Sequence, residues 1–424
     1  MIKNKYARVA FGSLLGRAIK LVAAPVTLLV ISKQLSSEEL GFYFTFFSLV
    51  SMQQLAELGI GHVMRQHISH AYLVDNNKWN RKSKEEIKAY FYFSLLWFLC
   101  VALFMLTIVG SAGWWYLSLS DSSVDWNSAW WLLILVSSLA TLVSPFTFIL
   151  DGTQRQELLI KANLISSLLG SLSLWASLSL GLGLHSIAVS SIVTSVSLFI
   201  TIWPTIMSYF KVFNSLDSKV NIKDTFFRVW GLLKKVSIVW AFGFLFWNAF
   251  NLISFQIYDP DYAGKIIFAV ALARMGFGVA ESITQGQMTI FSNLISSGDI
   301  SSARDNFKKY SKISIFILVS GYTMFIGIWQ AFPEIYIFDK LPSKEITIQV
   351  FVFFLVLIFL TLRNNFVRCF KIEPFVKQSI VMNSLLPIVY YLSATYTSYS
   401  FLLCALFLIC VLIYANRIHK EYFK

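Results

Sequence analysis

Charge is scarce in this chain. Asp, Glu, Lys and Arg together make up 13% of 424 residues, against 57% hydrophobic residues and a mean hydropathy of +0.66. A soluble protein of this length would not carry so large an apolar surplus, so the composition excludes a soluble domain and reads as an integral membrane protein. Cysteine is sparse as well. Cys100, Cys369, Cys404 and Cys410 fall in or beside apolar runs without metal-ligand spacing, which excludes a disulfide framework as the basis of the fold. A phosphate-cradling Walker loop, a nucleophile elbow and an H-E-x-x-H helix are all missing, and with them go an ATP-driven pump and the common hydrolase chemistries. His62, His67 and His70 are spaced by five and three, but no Cys or carboxylate completes a metal site, so they read as a solvated helix end. The basic N-terminus lacks an A-x-A-like cleavage site and reads as a retained signal anchor.

What is present is a succession of apolar stretches. A bilayer's hydrocarbon layer, roughly 30 Å thick, takes about 20 helical residues. Stretches of that length predict about twelve spans, near 11–32, 41–64, 89–111, 129–150, 158–181, 184–209, 233–257, 264–290, 311–331, 346–367, 375–397 and 399–416. An even number puts both termini on one side. Sorted by alternate loops, 28 of the 35 Lys and Arg fall on that side and 4 on the other, namely Lys33, Lys265, Lys340 and Lys344. The positive-inside rule then makes both termini cytoplasmic. The net charge of +13 is therefore topological, and a nucleic-acid partner is not expected.

The most polar connection, FNSLDSKVNIKDTFFR at 213–228, lies near the midpoint and predicts two six-helix lobes, 1–215 and 216–424, joined by a cytoplasmic linker at about 211–232. An internal echo supports the division. SSEELG ends at Gly41 and DPDYAG at Gly264, each in a short outer hairpin, and a glutamate follows 16 residues after the first (Glu57) and 17 after the second (Glu281). Pro25, Pro145, Pro204 and Pro387 fall within spans, where a lost backbone hydrogen bond permits a hinge or a static kink.

Ionisable residues inside the spans carry the functional signal, because a charge in mid-bilayer costs several kcal/mol unless paired or hydrated. Arg17 and Lys20 share one face of the first span, and Arg274 falls near the middle of the eighth. Positions 274, 278, 281 and 285 hold Arg, Gly, Glu and Gln, a narrow polar stripe on one helix face. Three readings of that stripe stand: it lines a water-filled cavity, it joins Arg274 to Glu281 across roughly 10 Å, or its cation snorkels to an interface; Lys20 has the longer stem for snorkelling. Asn248 and Asn251, with other intramembrane amides, suit sugar hydroxyls as well as helix bridging. Glu57 and Glu281 either carry a coupling ion, H+ or Na+, or neutralise neighbouring basic groups. No other cofactor is expected.

The stretches ISKQLSSEELGFYFTFFSL, LAELGIGHVMRQ and ILDGTQRQELLIKANLI, together with the topology, resemble the polysaccharide flippases of the MOP superfamily, particularly the O-antigen (Wzx-type) flippases. The resemblance implies an all-α integral membrane protein of about twelve helices in two lobes around a central cationic cavity. It implies translocation of a polyprenyl-diphosphate-linked oligosaccharide across the bacterial inner membrane by alternating access, without enzymatic chemistry. Membrane lipids, a glycan polymerase and chain-length enzymes are the partners such a flippase would meet. In the related lipid II flippases basic residues of the first and eighth helices line the cavity and are implicated in holding the diphosphate. Arg17 and Arg274 match that arrangement, with Lys20 a third member; Gln285, Asn248 and Asn251 complete the expected substrate contacts. The related multidrug exporters commonly carry an acidic residue in the first helix, and this chain has none there. An ion-coupled exporter of small organic molecules is the alternative. A membrane glycan polymerase or ligase is a weaker one, since the longest outer loop, about 17 residues, has no Lys, Arg or His.

Overall fold

The computed structural model describes residues 23–75, 78–216, 220–370, 372 and 374–423. Arg17 and Lys20 lie outside the described residues. The chain is helical apart from a two-stranded ribbon, β1 (Val74–Asp75) paired antiparallel with β2 (Lys78–Trp79). The helices are α1 (23–34), α2 (Ser37–Val50), α3 (Gln53–Glu57), α4 (Ile60–Ala71), α5 (Arg81–Phe104), α6 (Gly110–Ser118), α7 (Asn127–Thr141), α8 (Ser144–Gly152) and α9 (Gln156–Ser179). They continue as α10 (His185–Asn214), α11 (Ile222–Ile257), α12 (Pro260–Gln285), α13 (Met288–Ser296), α14 (Ile300–Ala331), α15 (Lys344–Arg368), α16 (Val376–Tyr396) and α17 (Ser400–Phe423). Where its residues are described, every expected span falls on one of these helices or on consecutive ones; residues 11–22 of the first lie outside the described residues. Among the described residues, 9 segments are long and apolar enough to cross a membrane, which makes this a multi-pass membrane protein. The second and eleventh expected spans are not among the 9, and the first lies partly outside the described residues.

Local chemistry sets many of the helix ends. The side chains of Asn80, Asp259, Asp299 and Ser343 each accept a hydrogen bond from a first-turn amide, satisfying donors that have no partner within the helix. Pro260 follows Asp259 in the first turn of α12, where its missing N–H costs nothing. The central connection is shorter than its polarity implies. Helix runs on to Asn214 and resumes at Ile222, because the Asn221 Oδ1 accepts from the Asp224 amide at 3.2 Å while its own amide group donates to Asp224 Oδ2 at 2.6 Å.

Several spans are interrupted where continuous helices were expected. The second is cut into α2, α3 and α4, with left-handed backbone at Leu58 (φ 53°) and Gly59 (φ 73°). A side chain at Gly59 would meet Val236 Cγ1 at 2.6 Å and Trp240 Cδ1 at 2.9 Å, and the Leu58 carbonyl accepts from the Ser237 hydroxyl at 3.2 Å. The break is thus built against α11. The eighth span divides at Gly286–Gln287 into α12 and α13, the third contains a π-helical turn at Met105–Val109, and the fourth divides ahead of Pro145. Pro204 and Pro387 remain inside α10 and α16.

The chain forms two compact units. The first comprises Met1–Gln34, Phe46–Leu119 and Ser123–Phe244; the second comprises Leu35–Thr45, Ser120–Ser122 and Leu245–Lys424. The core of the first is built on Ile60, Met64, Ile68, Phe91, Phe98, Phe148 and Phe213. In the second, Phe250, Phe277, Phe353, Phe366, Tyr390 and Phe401 are buried together, and the Tyr390 hydroxyl shares a hydrogen bond with the Ser254 hydroxyl at 2.6 Å. Residues 35–45 belong to the second unit, with Phe42 against Phe255 and Phe44 against Phe268, and they cross α12 closely at two glycines. A Cβ at Gly41 would lie 3.3 Å from the Gly264 Cα, and a Cβ at Gly264 would run into the Ser37 carbonyl. The two glycines that end the echoed hairpin motifs therefore pack α2 and α12 backbone to backbone.

Candidate functional site

Within the second unit, α11 and α12 bring Arg274 to Trp247. The guanidinium lies over the indole at 4.5 Å from its centroid, and Nη1 donates to the Trp247 carbonyl at 3.3 Å. Arg274 sits roughly 20 Å along α12 from Pro260, and its side chain is exposed. Among the described residues no carboxylate is within ion-pair reach. A ring quadrupole and one carbonyl hold the cation in place without neutralising it, so most of the planar donor fork stays available to an anion with two oxygens to offer.

Glu281, two turns further along α12, has a different set of partners. Its carboxylate accepts from Asn365 Nδ2 at 3.2 Å and from the Gln285 side chain, and Asn365 Oδ1 in turn accepts from Arg368 Nη1 at 3.2 Å. This amide-bridged chain on α12 and α15 decides one open reading of the stripe, because Arg274 and Glu281 do not pair with each other. Gln285 is exposed, Asn251 half-buried and Asn248 buried. In the first unit Glu57 ends α3 just before the left-handed break and accepts a hydrogen bond from Gln53 one turn back. Each of the two echoed glutamates thus has a glutamine one helical turn away.

Three features of this arrangement were not singled out by the sequence. Trp247 is 27 residues from Arg274 and carries no spacing that marks it. Asn365 was legible only as one intramembrane amide among several. The break beside Glu57 was not legible in LAELGIG, which reads as helix.

These elements define a class of fold, the one shared by the MOP-superfamily transporters. The chain is similar to an inward-facing multidrug resistance MATE family transporter of that superfamily, with a TM-score of 0.69 and 12% identity over 95% of each chain. It is similar to lipid II flippase MurJ in an inward closed conformation, with a TM-score of 0.62 and 12% identity over 96% of this chain and 87% of that one. A MOP superfamily transporter from Pyrococcus furiosus, described by the reverse polarity of its binding pocket, gives 0.55 and 13% over 99% and 96%. These structural neighbours are transporters and a flippase, not enzymes. No family model and no curated protein matches the chain.

Proposed function

We propose that this chain flips a polyprenyl-diphosphate-linked oligosaccharide, an O-antigen or similar repeat unit, from the cytoplasmic to the outer leaflet of a bacterial inner membrane. Arg274 carries this reading. An intramembrane guanidinium without a carboxylate partner among the described residues is costly, and a diphosphate supplies both the missing charge and the paired oxygens. Arg17 and Lys20 add cationic partners from the first span, while Gln285, Asn248 and Asn251 serve the glycan. The two six-helix lobes rock about a central cationic cavity so that the site faces each side in turn, and the polyprenyl chain stays in lipid. The likeness to a lipid II flippase supports this reading. The higher TM-score of the multidrug transporter supports the second one, an ion-coupled exporter of small organic molecules. Substrate charge separates the two. In proteoliposomes, translocation of a fluorescent polyprenyl-diphospho-sugar without efflux of a cationic dye is the expected result; dye efflux without lipid translocation would overturn the proposal.

Direction comes from a proton or sodium gradient through Glu281, with Glu57 as its counterpart. Protonation of Glu281 would weaken its hold on the Asn365–Arg368 chain and favour one lobe arrangement. Glu281→Gln keeps the shape and most of the hydrogen bonding. The reconstituted variant should still bind polyprenyl diphosphate but translocate at the same rate with and without an imposed gradient. A gradient response equal to that of the unmodified protein would remove Glu281 from the coupling.

The proposed orientation has both termini and the central connection in the cytoplasm. Reporter fusions at Lys424 and near Lys219 should read cytoplasmic, and one near Ser122 external. An external reading at Lys424 would overturn the twelve-span topology.

A further inference from the structure

The first unit holds a cavity of about 280 Å³ among α2, α3, α7, α8, α9 and α10. Its polar lining is almost entirely hydroxyl. Serines and threonines in apolar helices usually satisfy themselves by donating to a carbonyl one turn back. Two near this cavity do so: Ser138 donates to the Ile134 carbonyl at 2.7 Å and Thr141 to that of Ser138 at 2.8 Å. Ser137, Ser144, Ser191, Thr194 and Ser195 line the cavity, and their side chains have no hydrogen-bond partner among the described residues. Ser137 is 8% exposed, so its free hydroxyl is deep in the unit and has only the cavity to turn to. The Thr194 hydroxyl packs against Gly170, where any Cβ would collide with it.

The chemistry of these walls selects a ligand. Among the described residues no ionised side chain lines the cavity, and the nearest carboxylate along the chain, Glu57, is engaged by the lining residue Gln53. A charged group would find no counter-ion among these described lining residues. Hydroxyls both donate and accept, so they match a group that itself offers several hydroxyls, while Phe47 and Leu174 give its C–H face an apolar wall. The volume lies just under the roughly 300–1,000 Å³ of sites for drug-sized ligands, which suits one sugar ring. We propose that this cavity is a subsite for an uncharged, polyhydroxylated group the size of a single sugar ring. The proposal deepens the flippase reading and rests on it for the source of the sugar, the lipid-linked glycan; a free sugar has the same chemistry.

The test uses the full chain purified into nanodiscs, with glucose, galactose and N-acetylglucosamine as free probes in saturation-transfer NMR. The protein should transfer saturation to the ring protons of at least one of them. The near-isosteric pair Ser137→Ala and Thr194→Val should weaken that binding by roughly tenfold or more, as expected for two lost hydrogen bonds. Ser191→Leu, which fills the space, should abolish it. Should Ser191→Leu fail to fold, the isosteric pair carries the test. Sugar-free polyprenyl diphosphate, measured in parallel, should bind all variants as it binds the parent protein. Transfer to none of the three sugars, leaving water as the occupant, overturns the subsite, as does transfer that the variants leave unchanged; in both cases bound polyprenyl diphosphate would leave the flippase reading standing. Sugar binding without any polyprenyl diphosphate binding would retain the subsite and reject the flippase. In proteoliposomes, variants that stop translocation of a polyprenyl-diphospho-hexose without any counterflow of free hexose support the lipid-linked source. Counterflow of free hexose that the variants stop supports the free one.

Discussion

Arg274→Ala is expected to weaken binding of sugar-free polyprenyl diphosphate by roughly 10- to 150-fold, the range for losing one charge-assisted interaction of about 1.5–3 kcal/mol, and to halt lipid translocation in proteoliposomes. The argument rests on how the guanidinium is held. Trp247 and its carbonyl orient it, but among the described residues nothing neutralises it, so its removal relieves an electrostatic cost in the empty protein and takes away the anion's partner. Protein yield and monodispersity should therefore be unchanged or improved. Arg274→Lys should fall between the two, since an ammonium keeps the charge but loses the flat fork that engages two oxygens at once. Arg17→Ala should produce a loss of the same order. Unaltered translocation in the Arg17→Ala, Arg274→Ala double variant would reject the cationic site.

Gly264→Ala is expected to be the most damaging glycine-to-alanine substitution among the described residues. The new Cβ would enter the space of the Ser37 carbonyl. Backbone cannot turn aside as a flexible side chain can, so the α2–α12 crossing must widen along its length. Overpacking of this kind typically costs about 1–3 kcal/mol and more where the obstacle is rigid. Gly41→Ala should cost less, since its nearest obstacles lie 3.3–3.6 Å away. Gly327→Ala is the control: nothing lies within 4 Å of that position, and in a helix interior alanine is favoured by roughly 0.5–1 kcal/mol. Thermal unfolding in one detergent, read by loss of monodisperse protein, should rank the three in that order. Equal midpoints for Gly264→Ala and Gly327→Ala would show that the crossing is not tightly closed.

The helices were legible because each needs only a long apolar run, a property of consecutive residues. The cap at Asn221 was equally local and could have been read from NIKD. The echo ending at Gly41 and Gly264 was legible as a pattern, but not that its two members touch, which depends on how α2 and α12 are brought together. The left-handed Leu58 escaped detection for the opposite reason: its own side chain disfavours that backbone, and the groups that meet the break, Ser237 at the Leu58 carbonyl and Val236 and Trp240 against Gly59, are all distant in sequence. In the candidate site, sequence spacing singled out Arg274, Glu281 and Gln285 because they share one helix. Trp247 and Asn365 were contributed by other helices and carried no periodic signal. The cavity hydroxyls were hidden more thoroughly, since a serine in an apolar helix looks the same whether it bonds its own backbone or faces an open space.

The glycine crossing also bears on how the protein is made. Synthesis delivers α2 to the membrane when α12, more than two hundred residues away, has not yet been translated. A nascent chain extended only to Phe244 already contains all of the first unit, yet its residues 35–45 still lack the helix they pack against. During that interval the bare glycine face of α2 must be met by lipid or by an insertion chaperone. The ribosome therefore finishes the first unit well before residues 35–45 reach their final place, and a stalled or truncated product would present that unfilled face to the quality-control proteases of the membrane.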